Sequence, residues 1–353
     1  MPPTFSIIAV MSAYNEADII GASIDHLAAH GVGVYVLDDG STDETLAIAR
    51  SRIGRGVVGT EELAPPDPPG LPRRFSLAGI LRRKEELALA LDARWFIQQD
   101  ADECRESPWP HMTLSAAIAL VDRLGWNAID FEVLNFVPEG SEYRAGTDPR
   151  ESFRCFVPGP ACDKVQVRCW KKMAERVDLV SSGGHDDSFT GRQVFPIRFP
   201  MRHYPIRGEE HGRRKVFLER RDRFDPEERA AGWHVQYDGI AEGTSATAGW
   251  GTPHEYDAEA LAVDLQLRHR LVDRLLGDCG RLASERERLR AEIAALTQSL
   301  RERGEQLHGA RQEVVRLTAE EAELSRRLEE VFASKSWRVT APLRSAWRWL
   351  GGR

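Results

Sequence analysis

The strongest constraint on this chain is an apolar run that stops abruptly on carboxylates: Trp95-Phe96-Ile97-Gln98-Gln99 leads straight into Asp100-Ala101-Asp102-Glu103. A strand ending in Asp-x-Asp delivers two carboxylates to the edge of a sheet, where hard oxygen ligands can hold Mg2+ or Mn2+ against a diphosphate. Acidic strand ends also occur as solvated loop residues, so the motif gains its meaning from what surrounds it.

Two earlier segments share the pattern. Phe5 to Met11 is a nearly continuous apolar run, as in a strand covered on both faces, and Ser12-Ala13-Tyr14-Asn15-Glu16 leads from it into helical periodicity over Ala17 to His30. Val32 to Leu37 is a second β-rich run that stops at Asp38-Asp39-Gly40-Ser41-Thr42-Asp43, with helix from Asp43 or Glu44 through Ala49. Strand, helix, strand, helix predicts an α/β fold with a mostly parallel central sheet, in which ligands bind at the carboxyl ends of the strands. Residues 64 to 74, with five prolines, read as an irregular excursion on that side. Helices are expected over Leu77 to Leu91 and Thr113 to Leu124, strands over Ala128 to Val137 and Val165 to Trp170, and irregular structure through most of 138 to 205.

Near Asp257 the composition changes. Apolar residues recur at 282, 289, 296, 310, 317, 324 and 331 and, interleaved, at 293, 300, 307, 314 and 328, a heptad register interrupted by Arg303 and Glu321. The organisation expected is 1–257 as an α/β domain (1–104 one half, 105–257 the acceptor side), 258–333 as a coiled coil making a homodimer, and 334–353 as a tail. That tail carries basic residues, no acidic ones, and three Trp. Peripheral contact with the inner face of the cell membrane and folding back on a partner helix are both open uses for it.

A net charge of −7 advertises no global nucleic-acid field, and none is expected as a partner. Cys104, Cys155, Cys162, Cys169 and Cys279 form no CxxC pair and read as reduced thiols in a cytoplasmic protein. The N-terminus lacks the basic and apolar regions of a signal peptide, and no segment is long and apolar enough to span a bilayer.

Met11-Ser12-Ala13-Tyr14-Asn15-Glu16, then Val36-Leu37-Asp38-Asp39-Gly40-Ser41-Thr42-Asp43-Glu44-Thr45, then Gln98-Gln99-Asp100-Ala101-Asp102-Glu103 together resemble family 2 glycosyltransferases of the GT-A type, a nucleotide-sugar-binding fold. The resemblance covers roughly residues 4 to 240, with Ala13 where the family commonly has Pro. It implies an inverting transfer from a nucleotide-diphosphate sugar to a hydroxyl of a glycan or lipid-linked acceptor, in surface polysaccharide or glycan assembly. Tyr14, Asn15, Glu16, Asp38 and Asp39 would hold the nucleotide. Asp100 would face ribose or water-bridged metal, and Lys84 and Arg207 the diphosphate. Asp102, Asp100 and His203 would hold Mn2+ or Mg2+. Asp186, then Asp187, would be the general base, from the acidic pair the family places well after Asp-x-Asp.

Structural uses compete with several of these. Asp38-Asp39-Gly40-Ser41 is also a turn and helix cap, Arg82-Arg83-Lys84 a solvated helix face, and Asp186 a capping residue. A non-catalytic coiled-coil scaffold on a degenerate transferase domain is the alternative reading. A sugar-1-phosphate nucleotidyltransferase is disfavoured, since it needs a Gly-rich basic loop where Ser-Ala-Tyr-Asn-Glu stands.

Overall fold

The structure, a computed structural model, describes residues 5–63, 74–140, 143–220, 223–230, 232–233, 244–247, 250–268, 270–349 and 351. The side chains of 161–162, 220 and 269–279 are outside that description, as is nearly all of the 64–74 segment. The chain divides into two compact units, residues 1–274 and 275–353.

In the first unit β1 (Ile7–Ala13), β2 (Gly33–Asp38), β3 (Val57–Glu62) and β4 (Trp95–Asp100) form the expected parallel core in the order β3-β2-β1-β4. Alternation along each strand feeds two cores. Ile7, Ala9, Met11, Trp95 and Ile97 face one side, with α1 (Ile20–Ala29) and α4 (Leu114–Arg123); Ile8, Val10 and Phe96 face the other, with α3 (Leu77–Ala90). The short α2 (Thr45–Arg50) links β2 to β3. The parallel core and flanking helices bear out the expected α/β architecture.

Beyond β4 the sheet turns antiparallel. After β5 (Glu103–Arg105), β6 (Ala128–Phe136) pairs antiparallel with both β7 (Cys155–Pro158) and β8 (Val167–Lys171), and β8 pairs antiparallel with β4. The strand β9 (Phe199–His203) lies parallel to β6 and antiparallel to β5. Residues 138–205 are less irregular than expected: β8 meets the strand expected over Val165 to Trp170, and β7 and β9 lie there as well. Beyond α5 (Pro149–Ser152), α6 (Glu209–Arg213) runs into a π-helical stretch, Arg214–Arg220, followed by α7 (Pro226–Ala230) and β10 (His254–Glu255). The helix α8 (Ala258–Leu267), capped by Asp257, buries Ala262 and Leu265, so this unit continues past the expected boundary at 257.

The second unit holds most of α9 (Arg270–Ala333), then α10 (Lys335–Val339) and α11 (Ala341–Trp349). No helix among the described residues is long and apolar enough to cross a membrane. Cys104, Cys155 and Cys169 are free thiols, while the side chains of Cys162 and Cys279 lie outside the described residues.

Trp170 on β8 is fully buried and stacks on Phe96 of β4, with ring centroids 6.2 Å apart, so it ties the antiparallel half to the parallel half. Trp170→Ala is expected to lower unfolding free energy by about 3–5 kcal/mol in urea denaturation.

Candidate functional site

The carboxyl ends of β1, β2 and β4 converge on a cavity of about 890 Å³, lined also by residues from β6, β9 and the 157–185 segment. Convergence follows from the parallel register: Ser12 lies beside Asp100, and Ala13 beside Asp38.

At the β1 and β2 ends, neighbouring residues divide between building the turn and lining the cavity. Asp38 is 1% exposed and does not line the cavity; its Oδ2 accepts the amides of Gly40 and Ser41 at 3.1 and 2.9 Å, so it builds the turn. Asn15 adopts φ +52° and its Oδ1 accepts the Thr42 amide at 2.8 Å, clamping the two strand ends together; it too is structural. Asp39 and Tyr14 do line the cavity. The Arg223 guanidinium lies 3.4 Å over the Tyr14 ring and donates to Asp39 Oδ2 at 3.0 Å, closing a corner of aromatic, cation and carboxylate.

Asp100 ends β4 with its side chain 40% exposed to the cavity. Its Oδ1 accepts Ser12 Oγ at 2.8 Å and lies 3.6 Å from Lys84 Nζ, while Oδ2 lies 3.4 Å from Arg168 Nη1. Burial raises the proton affinity of this carboxyl, but Lys84 and Arg168 outweigh it and hold Asp100 well below the usual carboxylate range. Lys84 is 1% exposed, so it belongs to no solvated helix face; its Nζ donates to the Gln99 carbonyl at 2.9 Å. Beneath them Glu103 bridges Arg168 (2.9 Å) and Arg105 (2.7 Å), and Arg105 lies 4.2 Å over the Phe131 ring.

Asp102 stands in the turn where the chain leaves β4 for β5, and Glu103 pairs with His203 across to β9. His203 Nδ1 bonds Asn135 Oδ1 at 2.7 Å; an amide oxygen there assigns the proton to Nδ1 and presents the Nε2 lone pair 3.9 Å from Asp102 Oδ2. An imidazole held through its second nitrogen, facing a carboxylate, fits a divalent cation. Asp100 does not join this pair, because Ser12, Lys84 and Arg168 engage it. No three His, Cys, Asp or Glu side chains among the described residues form a preformed metal cluster. Lys215, from the π-helical stretch, sits 2.7 Å from Asp102 Oδ2 and 3.3 Å from Glu16 Oε1.

Glu16 lines the cavity but spends one oxygen on Arg207 at 2.5 Å. Arg207 is fully buried, bonded also to Asp18 and the Tyr204 carbonyl, and does not line the cavity, contrary to its expected diphosphate role. It fixes Glu16, and Lys215 reaches the site instead.

The acceptor side departs furthest from expectation. Asp186 pairs with Arg192 at 2.6 Å, and neither it nor Asp187 lines the cavity. Asp187 is wholly buried with neither carboxylate oxygen hydrogen-bonded, and burial pushes its carboxyl well above the usual range against the pull of Arg168. The residues of this segment that do face the cavity are Ser182, Gly183 and His185, together with Asp163 and Gln166. Gln166 Nε2 lies 3.2 Å from Asp163 Oδ1 and 2.8 Å from His185 Nδ1. Donation to Asp163 assigns the amide nitrogen, so His185 Nδ1 accepts and its Nε2 carries the proton. Burial lowers the His185 pKa, which favours the neutral ring.

Arg168, Asp163, Gln166 and Arg223 had no short motif to mark them; Arg168, Gln166 and Arg223 are placed by pairings distant in sequence, and Asp163 by Gln166.

Residues 8–57 match the family model described as glycosyl transferase family 2. Two curated relatives, uncharacterized protein Rv3786c of Mycobacterium tuberculosis and uncharacterized protein Mb3815c of Mycobacterium bovis, are each 31% identical over 101 residues, 27% of this chain. The chain spans only 25% of the length of these relatives. Among solved structures, S. aureus TarS (1–349) in complex with UDP aligns at 13% identity over 60% of this chain and 64% of that one, with TM-score 0.32. Glucosyl-3-phosphoglycerate synthase from Mycobacterium tuberculosis, in complex with phosphoglyceric acid, aligns at 24% identity over 37% and 44%, with TM-score 0.25.

Because the folded Asp187 carboxyl titrates above its ordinary value of 3.8, its ionisation destabilises the fold as pH rises through that window. Asp187→Asn is expected to raise the urea midpoint, relative to wild type, more at about pH 8 than at about pH 4. An equal shift at both would show that ionisation of Asp187 does not oppose folding.

Proposed function

We propose that this chain is a metal-dependent, inverting glycosyltransferase using a nucleotide-diphosphate sugar, a reading supported by the match of residues 8–57 to the glycosyl transferase family 2 model. The observation that carries the proposal is the cavity's division of charge: a carboxylate and aromatic corner at Asp39 and Tyr14, then Lys84, Arg168 and Lys215 around Asp100 and Asp102. A carboxylate can accept hydrogen bonds from ribose hydroxyls or a base N–H, and Tyr14 offers a face for a base. The cations suit a diphosphate.

In the transfer, the acceptor oxygen forms a bond to the anomeric carbon as the bond to the diphosphate oxygen breaks, and the diphosphate leaves with the electron pair. Lys84, Arg168 and Lys215 stabilise that developing charge. Asp102 and His203 are the residues that would hold Mn2+ or Mg2+, which when bound supplies Lewis-acid stabilisation of the leaving group. Asp163 takes the acceptor's proton in place of Asp186, since it is the acceptor-side carboxylate in the cavity. His185, neutral and carrying a proton on Nε2, orients an acceptor oxygen.

The seam of α9 supports a homodimeric coiled coil. Leu289, Leu296, Leu300, Leu307 and Leu324 are each 47–74% exposed in the single chain, an apolar stripe that a second copy would cover. Such a dimer would serve glycan assembly by presenting two sites.

Asp102→Asn is expected to abolish metal-dependent hydrolysis of nucleotide sugars, screened donor by donor, while circular dichroism stays unchanged; undiminished turnover would sink the metal assignment. Asp163→Asn is expected to lower kcat by about 10²–10⁴-fold with little change in donor affinity. Full-length Leu296→Asp/Leu300→Asp should sediment as a monomer where the wild type sediments as a dimer.

A further inference from the structure

We propose that the helical corner 334–349 is a membrane-surface anchor that recognises anionic phospholipid headgroups, a function independent of the transferase reading. The corner is a built element. Ser334 Oγ accepts the Trp337 amide at 3.2 Å to start α10, and Phe332 lies against Trp337 with ring centroids 5.1 Å apart. Arg344 of α11 folds back over Trp337 at 3.6 Å, donating to the Trp337 carbonyl and to Thr340 Oγ1, each at 2.6 Å. One cation and one aromatic ring are thus spent inside the corner, and they fix its bend.

What remains points outward. Leu343 and Trp347, four residues apart on one face of α11, are 71% and 60% exposed; Trp349 is 92% exposed and Val339, at the end of α10, 77%. Lys335, Arg338 and Arg348 make no ion pair among the described residues, and no Asp or Glu occurs from Ser334 onward. Along α9, by contrast, arginines pair with glutamates three or four residues away, as Arg316 does with Glu313 and Glu320, and Arg326 with Glu323 and Glu330.

An apolar face flanked by basic side chains, with Trp at its margin, matches the interface of an anionic bilayer: Trp settles at the headgroup level and each basic residue strengthens adsorption by about fivefold. The uniformly positive charge selects this occupant over a second tail, which would repel it. Adsorption through one short helix is weak and reversible, so two tails in one dimer would reinforce each other.

The test uses the full chain with vesicles of phosphatidylglycerol and phosphatidylcholine, and with phosphatidylcholine alone. Co-sedimentation with the anionic vesicles is expected to exceed that with neutral ones by at least about tenfold, to fall by at least about tenfold in Arg338→Glu/Arg348→Glu, and to weaken in high salt. Trp emission should shift blue on binding, and the shift should shrink in Trp347→Ala/Trp349→Ala. A protein that stays in solution with anionic vesicles, or a charge-reversed variant that binds as well as wild type, would overturn the proposal. So would a tail-dependent change in sedimentation coefficient without vesicle binding, which would assign the face to a second copy. Nucleotide-sugar turnover enters none of these readouts, so the anchor and the transferase reading stand or fall separately.

Discussion

The end of β4 is held by a row of opposite charges, Arg105, Glu103, Arg168, Asp100 and Lys84, all buried except Asp100, and the site depends on it. Buried ion pairs are weak sources of net stability, because desolvation offsets much of their attraction. What this row provides is placement. Arg105 reaches the Gln98 carbonyl and the Gln99 side chain, so the guanidinium that anchors Glu103 also fixes the last residues of β4. Asp100 is then turned toward Lys84 and Arg168 instead of toward Asp102. The two carboxylates of Asp-x-Asp consequently do different work: Asp100 organises cations, and Asp102, two residues on in the turn from β4 to β5, faces His203 and Lys215.

The same logic of fixed cations holds at Glu16. Arg207 has no route to the cavity, yet its fork to Asp18 and Glu16 sets the carboxylate that Lys215 touches. Cation and acid alternate around the site, so a diphosphate arriving with a divalent ion would meet partners for both charges. The acceptor side is simpler: a carboxylate and an imidazole share one amide, and that amide sets which nitrogen of His185 carries the proton.

Much of this was legible in the sequence because strands and heptads announce themselves by period. The β1, β2 and β4 runs, the convergence of their ends and the long helix α9 all follow from spacing. Asp39 and Tyr14 reach the cavity as expected, and so do Asp102 and His203, which face each other. Adjacent residues were harder to separate. Asp38 and Asp39 are chemically alike, and only the local turn decides that the first accepts backbone amides while the second faces the cavity. The strand β9 was obscured by Pro200, which lacks an amide donor and is tolerated where its carbonyl still accepts the Glu106 amide. The strand β3, Val57–Glu62, escaped notice because its outer half is polar, as suits an edge. Asp186 failed as a base for a reason no motif contains: Arg192, six residues on, folds back to pair with it.

The central claim is that the cavity receives a nucleoside diphosphate. Calorimetry of the full chain with UDP, GDP and dTDP, each with and without Mn2+, tests it most directly. Saturable binding of at least one nucleotide, tightened by Mn2+ and lost in Asp39→Ala, is the result expected. Heat-silent titrations with all three, confirmed by equilibrium dialysis, would contradict it and leave a coiled-coil scaffold on a non-catalytic transferase domain.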